Sequence, residues 1–348
     1  LSIRLHRTAI VAGLVQPILL DESYVISGRV LLPTFALSRN IPGPPPSSAA
    51  YHHTVLNDAI YQFIPWEIEV RRAYGSGRLP LWSDSLDGGS SPWANPQAAA
   101  ASPIAVVARL APVEHHLLAA LALKLLVAFQ GAWLLARLLG SRRSLALLSG
   151  AAFSLGGGIM AWSLFPHSST AAWMPWLIAG SIRLTRRPTA RNVATTSVIT
   201  AALLLSGHPE TVLGGGILAV VCVVSLGRRA GGFHGVLRGA GAATTAAVIG
   251  FMLAAPHILP FAKLLPHTVR YHRMTESGEA STAGSQPLFH PVHGKFLKGV
   301  TNPHAYGKAP YDGPGFVPVG GGGYAGLVAL ARKPNCLSNA FRLSPARA

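Results

Sequence analysis

Residues 239–260, GAGAATTAAVIGFMLAAPHILP, contain no charged side chain. As a helix, this stretch of 22 residues is about 33 Å long, enough to cross a hydrocarbon core of ~30 Å. Apolar residues fill the stretch instead of following one face, a pattern typical of helices surrounded by lipid or by other helices. The sequence therefore predicts a membrane-spanning helix here.

The rest of the chain has a matching composition. Of its 348 residues, 50% are hydrophobic and 12% are charged, whereas soluble domains carry roughly 25% charged residues. Its two cysteines exclude a disulfide scaffold and a Cys-rich zinc site. We predict an all-α integral membrane protein with about eight transmembrane helices. One crossing lies somewhere within residues 8–37. The others are predicted at 116–139, 145–163, 170–184, 193–206, 211–226, 239–260 and about 317–331.

The charges predict the topology. Three short connections, 137–144, 183–192 and 227–238, contain ten arginines and no acidic residue, although the chain has 12 Asp and Glu in total. Cytoplasmic loops are enriched in Lys and Arg, so these connections and the N-terminus are predicted to be cytoplasmic. We expect a multi-pass membrane protein.

A net charge of +17 is also compatible with a protein that binds nucleic acid. A nucleic-acid-binding protein gathers basic residues on one face among polar and aromatic side chains. Here the basic residues stand between apolar spans, so the lipid bilayer is the predicted partner and nucleic acid is not.

This topology divides the chain into five regions. They are an N-terminal anchor region with the first crossing (1–37), an extracytoplasmic segment (38–115), a core of about six spans (116–260), a second extracytoplasmic segment (261–316), and the last span with its tail (317–348). A cleaved signal peptide is the alternative for residues 1–20; an anchor helix is preferred because no small-residue cleavage site follows. Because the chain begins without Met and its last apolar run ends near residue 331, we interpret it as a fragment.

Asp58 is the strongest candidate for catalysis. Residues 57–74 predict one helix on the membrane surface, capped by Asn57 and interrupted by Pro65. A carboxylate at this position can deprotonate an acceptor hydroxyl, and partial desolvation would raise its pKa. The alternative is a carboxylate that only satisfies backbone N–H groups at the helix start. Gln62, one turn later on the same face, can bind a sugar hydroxyl or orient Asp58.

The second candidate is the sequence SGHPE at 206–210, between two apolar runs. Proline interrupts the helix and leaves His208 and Glu210 at membrane depth, where polar groups are costly and are retained for function or for pairing. The alternative is a tight turn in which these two side chains satisfy each other. A divalent-cation site for Mg or Mn, built from Asp58, His208 and Glu210, is a further hypothesis.

Basic and aromatic side chains of the outer segments can bind substrate or anchor the protein. Arg78 and Arg270 can clamp the phosphate of a lipid, or they can meet lipid headgroups as interfacial anchors. Trp82 can stack on a sugar or belong to an aromatic belt. Lys124 lies within a predicted span and is expected to extend toward the outer end.

Several short motifs also occur in a characteristic order. They are Asn57-Asp58 with Gln62 and Pro65-Trp66, GRLPLW at 77–82, ANPQ at 94–97, Ser102-Pro103, GHPE at 207–210, LAAPHILPF at 253–261, and Tyr324 with Gly326. Together they resemble the YfhO-like family of bacterial polytopic membrane proteins, which belongs with the GT-C type of glycosyltransferases that use polyprenyl-phosphate sugars. Where the family pattern has Asn-Pro, this chain has Ser83-Asp84.

The resemblance implies a GT-C-like transferase whose acidic catalytic residue is Asp58. On this basis a polyprenyl-phosphate sugar is the expected donor, and an envelope glycan, a teichoic-acid-type polymer or a lipid is the expected acceptor. Substrate is then expected to contact residues of both outer segments and of the 206–210 turn: Gln62, Arg78, Trp82, Asn95, Gln97, His208, Glu210 and Arg270. The alternatives are a non-catalytic transporter or flippase of lipid-linked glycans, and a structural scaffold.

Overall fold

The computed structural model describes residues 30–32, 57–268 and 271–272. This part is mostly helical, with no strand beyond one isolated antiparallel bridge between Ser83 and Ser90. The all-α prediction is confirmed to that extent. Most of the predicted first crossing and of the segment 261–316, and the whole predicted span at 317–331, lie outside the described residues.

The described residues contain eight α-helices. They are α1 (Ile64–Gly75), α2 (Pro103–Ala108), α3 (His116–Leu138), α4 (Arg143–Ser154), α5 (Gly157–Met160), α6 (Pro166–Arg186), α7 (Ala190–Leu204) and α8 (Pro209–Leu264). A π-helical turn, Ala59–Phe63, precedes α1, and 3-10 turns occupy Pro96–Ala98, Val113–His115 and Leu265–His267.

The α8 helix is folded back on itself. Its backbone leaves helical geometry at Gly231 and Gly232, and Gly232 has a φ of +58°, which favours glycine. The turn is tight, because a Cβ on Gly227 would lie 2.7 Å from Cα of Val236. Two antiparallel arms result, 209–230 and 233–264, and they correspond to the separate predicted helices at 211–226 and 239–260.

Two helices of the described part are long and apolar enough to cross a membrane: α3 with its preceding turn, and α8. The most apolar window of α3 is 61% buried inside the protein, whereas that of α8 is 22% buried. Large apolar side chains on both arms of α8 face outward, including Leu213 (66% exposed) and Met252 (66%). An apolar surface of this extent is typical of contact with lipid or another protein.

One predicted span is wrong as a single helix. Residues 145–163 divide into α4 and α5, because the chain leaves helical geometry at Gly156. Three consecutive glycines, 156–158, offer no side chain to hold the helix together. At 12 residues, α4 is about 18 Å long and does not cross a bilayer by itself.

A helix is present over the predicted range 57–74, with one change at its start. Asn57 is already helical in the structure and is therefore not the predicted N-cap. The interruption expected from Pro65 takes the form of the π-helical turn just before it. Proline lacks the N–H that would continue the regular helical hydrogen bonds.

The antiparallel helices give the bundle two chemically different ends. At one end, which we call the arginine end, lie the connections 137–143, 183–191 and 228–238, and Nη1 of Arg186 donates to the carbonyl of Leu138 (3.1 Å). The other, which we call the acidic end, contains the segment 57–115 and the turn 206–210. All acidic residues of the described part belong to these two regions.

Small residues allow the helices to approach closely. On the second arm of α8, a Cβ at Gly250 would lie 2.6 Å from Cβ of Thr200 and 2.7 Å from the carbonyl oxygen of Ser197. We expect Gly250→Ala to lower the free energy of unfolding by about 1–3 kcal/mol through overpacking. Gly241→Ala, on the same arm with nothing within 4 Å, should not destabilise the protein. Denaturant titration in detergent micelles measures both, and equal values would contradict this packing.

Candidate functional site

Asp58 lies at the start of the π-helical turn, with a half-buried side chain. Its Oδ1 accepts a hydrogen bond from Nε2 of Gln62 at 3.3 Å, so the predicted contact between these residues is present. The carboxylate makes no capping hydrogen bond to the backbone of this turn, which argues against the purely structural alternative. Burial raises the pKa of the Asp58 carboxyl.

A buried ion cluster lies one to two turns further along the chain. The Glu67 carboxylate accepts hydrogen bonds from Nε of Arg71 (2.7 Å) and from Nε of Arg109 (3.0 Å). Nδ1 of His116 lies 3.3 Å from the same carboxylate. Burial raises the pKa of Glu67, while the guanidinium groups of Arg109 and Arg71 act in the opposite direction. This cluster ties α1 to the start of α3.

Arg109 also fixes the connection that precedes α2. Its guanidinium donates to the carbonyls of Ala100 (2.8 Å) and Ala99 (3.2 Å), and it lies over the ring of Tyr74. The hydroxyl of Tyr74 donates to the Ala100 carbonyl as well. Sequence reasoning missed this cluster; the only local signal is the Glu67–Arg71 spacing of four residues, which favours a helical ion pair.

A polar cavity of about 60 Å³ opens beside the cluster. Glu67 and His116 line it, together with Gln97 and Lys124, and Phe63 forms part of its wall. A site of this size has room for a few water molecules or a small polar group. Among the described residues predicted to bind substrate, only Gln97 lines this cavity.

Lys124 enters the cavity from within α3. Its side chain is buried, and Nζ donates to the carbonyls of Ser163 (2.8 Å) and Phe165 (2.9 Å), just before α6. The ammonium has three donors, so one N–H remains for the cavity. Lys124 therefore reaches toward the acidic end of the bundle, and whether that end faces outward stays a prediction.

His208 begins α8 and caps it. Its Nδ1 accepts from the backbone N–H of Thr211 (3.3 Å), and its ring lies 3.4 Å, centroid to centroid, from that of His167. His167 in turn stacks on Trp162. Oε2 of Glu210 is 3.8 Å from Nε2 of His208, and the Glu210 side chain is 81% exposed. The distance of 3.8 Å is too long for a hydrogen bond, so the mutual satisfaction of His208 and Glu210 that the structural alternative required stays a prediction. The pairing of His208 with His167 was not foreseen.

The 206–210 turn packs against the 94–97 motif. Gly207 has a φ of +93°, and a Cβ there would lie 2.4 Å from the carbonyl oxygen of Pro96. The side chain of Asn95 caps the 3-10 turn that follows it, because its Oδ1 accepts a hydrogen bond from the backbone N–H of Gln97 (3.0 Å). Two motifs more than 100 residues apart in sequence are therefore in contact.

The same loop also reaches the second arm of α8. Trp93 Nε1 donates to the carbonyl of Pro256 (2.8 Å), and its ring packs edge-on against His257. His257 is buried, and within the described ranges neither of its ring nitrogens has a hydrogen-bond partner. Residues 93–97 thus connect both arms of α8 with the polar cavity.

The start of α6 joins the separate parts of the candidate site. Phe63, five residues after Asp58, packs edge-on against Phe165 at 5.3 Å between ring centroids. His167, two residues later, contacts His208. The Asp58 segment, the cavity and the 206–210 turn consequently lie at the same, acidic end of the bundle.

Other predicted residues lie apart from this arrangement. Trp82 is 64% exposed, and its Nε1 donates to Oδ1 of Asp84 (2.8 Å), which gives Asp84 a structural partner. Arg78 is exposed and donates to Oγ of Ser76. Neither of these two predicted substrate-binding residues lines the cavity. Arg270 lies outside the described residues.

The hypothetical cation site is not assembled. Across residues 57–268, no group of three His, Cys, Asp or Glu side chains is arranged to hold a metal ion. Asp58, His208 and Glu210 share one end of the bundle but do not form a ligand set, so no step of the chemistry is assigned to a metal.

Comparisons with protein-family models, curated proteins and solved structures gave no match for this chain.

Proposed function

We propose that this protein is a membrane glycosyltransferase of the GT-C type, related to the YfhO-like proteins. It moves a sugar from a polyprenyl phosphate to an envelope glycan, a teichoic-acid-type polymer or a lipid. It spans the bacterial cytoplasmic membrane about eight times, with the N-terminus and the arginine end in the cytoplasm. The connections at the arginine end contain ten arginines and no acidic residue, which supports this orientation.

The observation that carries the proposal is the state of Asp58. Its carboxylate is half-buried, has a raised pKa, and is held by Gln62 rather than by backbone N–H groups. It also lies at the end of the bundle that contains the polar cavity. These are the properties expected of a general base that meets its substrate at a membrane surface.

The proposed reaction is a single displacement. Asp58 takes the proton of the acceptor hydroxyl while the acceptor oxygen attacks the anomeric carbon. The bond between that carbon and the phosphate oxygen breaks, its electron pair leaves with the lipid phosphate, and the configuration inverts. Arg270 is assigned to the negative charge of the departing phosphate, because Arg78 lies apart from the cavity. Asp58 then releases its proton to water.

The proposal is tested by comparing envelope polymers from cells with and without the intact gene, using mass spectrometry. Loss of one glycosyl substituent is the expected result, with restoration by the plasmid-borne gene as the control. The flippase alternative is separated by reconstitution into liposomes that hold the lipid-linked sugar. Transfer to acceptor supports the transferase, whereas movement of the lipid across the bilayer without transfer contradicts it.

A further inference from the structure

The polar cavity contains a buried ammonium group that the proposed reaction does not use. Lys124 lines the cavity and is 4% exposed. Its Nζ donates to two neutral acceptors, the carbonyls of Ser163 (2.8 Å) and Phe165 (2.9 Å). Within the described ranges, no ion pair includes Lys124. A buried charge is costly unless an opposite charge compensates it, so the ammonium of Lys124 lacks an anion.

The carboxylate that lines the same cavity does not supply this anion. Glu67 already accepts hydrogen bonds from Nε of Arg71 (2.7 Å) and from Nε of Arg109 (3.0 Å). Together with Lys124, these side chains carry three positive charges and one negative charge. An anion in the cavity would offset part of this excess.

The start of α6 makes the cavity more favourable for an anion. Phe165, Pro166 and Ser169 line it, and Phe165, the N-cap residue, makes no side-chain hydrogen bond to the N–H groups of the first turn. The N-terminus of a helix of 21 residues has a partial positive charge that attracts anions. Ser169 is 8% exposed, and its hydroxyl has no hydrogen-bond partner within the described part of the chain.

We infer that this cavity binds a carboxylate group, either of a small organic acid or of a sugar acid. The carboxylate oxygens accept hydrogen bonds from the third N–H of Lys124 and from the hydroxyl of Ser169. The volume of about 60 Å³ corresponds to about four to six water molecules, which is enough for a carboxylate with a short carbon chain. Phe63, Ile104 and Leu117 form an apolar part of the wall that suits the carbon chain.

The charge and the shape of the cavity select against other anions. Glu67 lines the cavity opposite in charge to Lys124, so a phosphate dianion would bring more negative charge than one ammonium compensates. A chloride ion would leave the apolar part of the cavity empty. Neither Lys124 nor Ser169 takes part in the proposed sugar transfer, so the inference does not rest on that reaction.

The test uses the full-length protein in nanodiscs of phosphatidylcholine. Acetate is titrated, and its binding is followed by NMR as saturation transfer from the protein to the acetate methyl group. We expect Ser169→Ala to weaken acetate binding about tenfold and Lys124→Met about a hundredfold, because a hydrogen bond to a charged group contributes roughly ten- to hundredfold in affinity. Ser169→Ala keeps the test valid if the Lys124→Met protein does not fold.

Two matched controls separate the site from general effects. Ser168→Ala removes a hydroxyl from the same turn of α6, but Ser168 does not line the cavity, and its Oγ donates to the carbonyls of Trp162 and Phe165. Lys263→Met removes one positive charge from an exposed position of α8. Both variants should bind acetate like the wild type.

Glucuronate, with glucose as its neutral control, distinguishes the two sources of the carboxylate. If glucuronate displaces acetate and glucose does not, the site is assigned to the carboxylate of a sugar acid. If acetate binds and glucuronate does not displace it, the site is assigned to a small free acid. Either result supports the inference.

Four outcomes would overturn it. The first is a wild-type protein that gives saturation transfer to neither acetate nor glucuronate. The second is unchanged acetate binding by Ser169→Ala and by a folded Lys124→Met protein, and the third is equal weakening in the controls. The fourth is displacement of acetate by an equal concentration of chloride or inorganic phosphate, which would identify an unselective anion site. Donor and acceptor sugars are absent from these measurements, so failure of the transferase proposal is recognised separately.

Discussion

Replacing Asp58 with Asn is expected to reduce sugar transfer by about 10²–10⁴-fold, the contribution typical of a general base. Asparagine keeps the size of the side chain but cannot accept the acceptor's proton. Its amide oxygen can still accept the hydrogen bond from Gln62, so the local fold should be retained. Transfer is measured with purified full-length protein at expression levels matched to the wild type.

The matched control for this substitution is Asp84→Asn. Asp84 lies in the same outer segment, but the structure pairs it with the indole of Trp82, away from the cavity. Transfer by this variant should be close to that of the wild type. Undiminished transfer by the Asp58→Asn protein would remove Asp58 from the mechanism, whatever the result for Asp84.

The pH profile gives a second readout of Asp58. A general base works when deprotonated, and burial raises the pKa of this carboxyl above the usual 3.8. The rate of transfer should therefore fall as the pH decreases through the raised pKa, at a higher pH than for an ordinary aspartate. The residual activity of the Asp58→Asn protein should lack this decline; a decline at the same pH in both proteins would assign it to another group.

Hydropathy and charge predicted the helices better than they predicted the contacts. The apolar runs at 116–139, 211–226 and 239–260 correspond to α3 and to the two arms of α8, because such runs depend on local composition alone. The prediction of one helix over 145–163 was wrong because glycine counts as a nonpolar residue but readily leaves helical geometry. Hydropathy gives no weight to that conformational freedom.

The candidate site shows the same contrast. The Asp58–Gln62 contact follows from helical spacing, so the sequence was sufficient to predict it. The approach of Arg109 to Glu67 depends on how the loop before α2 folds over α1, which no local pattern encodes. The contact between the rings of His167 and His208 likewise joins the starts of two helices far apart in sequence.

Replacing Arg109 with Met is expected to lower the free energy of unfolding by about 3–5 kcal/mol, the cost of removing one partner from a buried ion pair. The side chains of Arg109 and Glu67 are 8% and 4% exposed, so water cannot replace the lost guanidinium. The carbonyls of Ala99 and Ala100 lose their donors in the same step. Urea titration in detergent micelles, followed by tryptophan fluorescence, measures the change.

Arg72→Met is the matched control for Arg109→Met, because Arg72 also pairs with a glutamate of α1, Glu69, but its side chain is 63% exposed. Glu69 is 11% exposed but keeps a hydrogen bond from the hydroxyl of Ser83 when Arg72 is replaced. Because the lost guanidinium was exposed, the pair should contribute between about 0 and 1 kcal/mol, and this variant should remain near the wild type. Glu67→Gln combined with Arg109→Met should restore part of the loss, since the buried carboxylate that has lost one of its two guanidinium partners is removed as well. Similar losses for Arg109→Met and Arg72→Met would show that the stability of this ion cluster does not depend on its burial. The cluster could then not be what holds the loop before α2 against α1 and maintains the shape of the cavity.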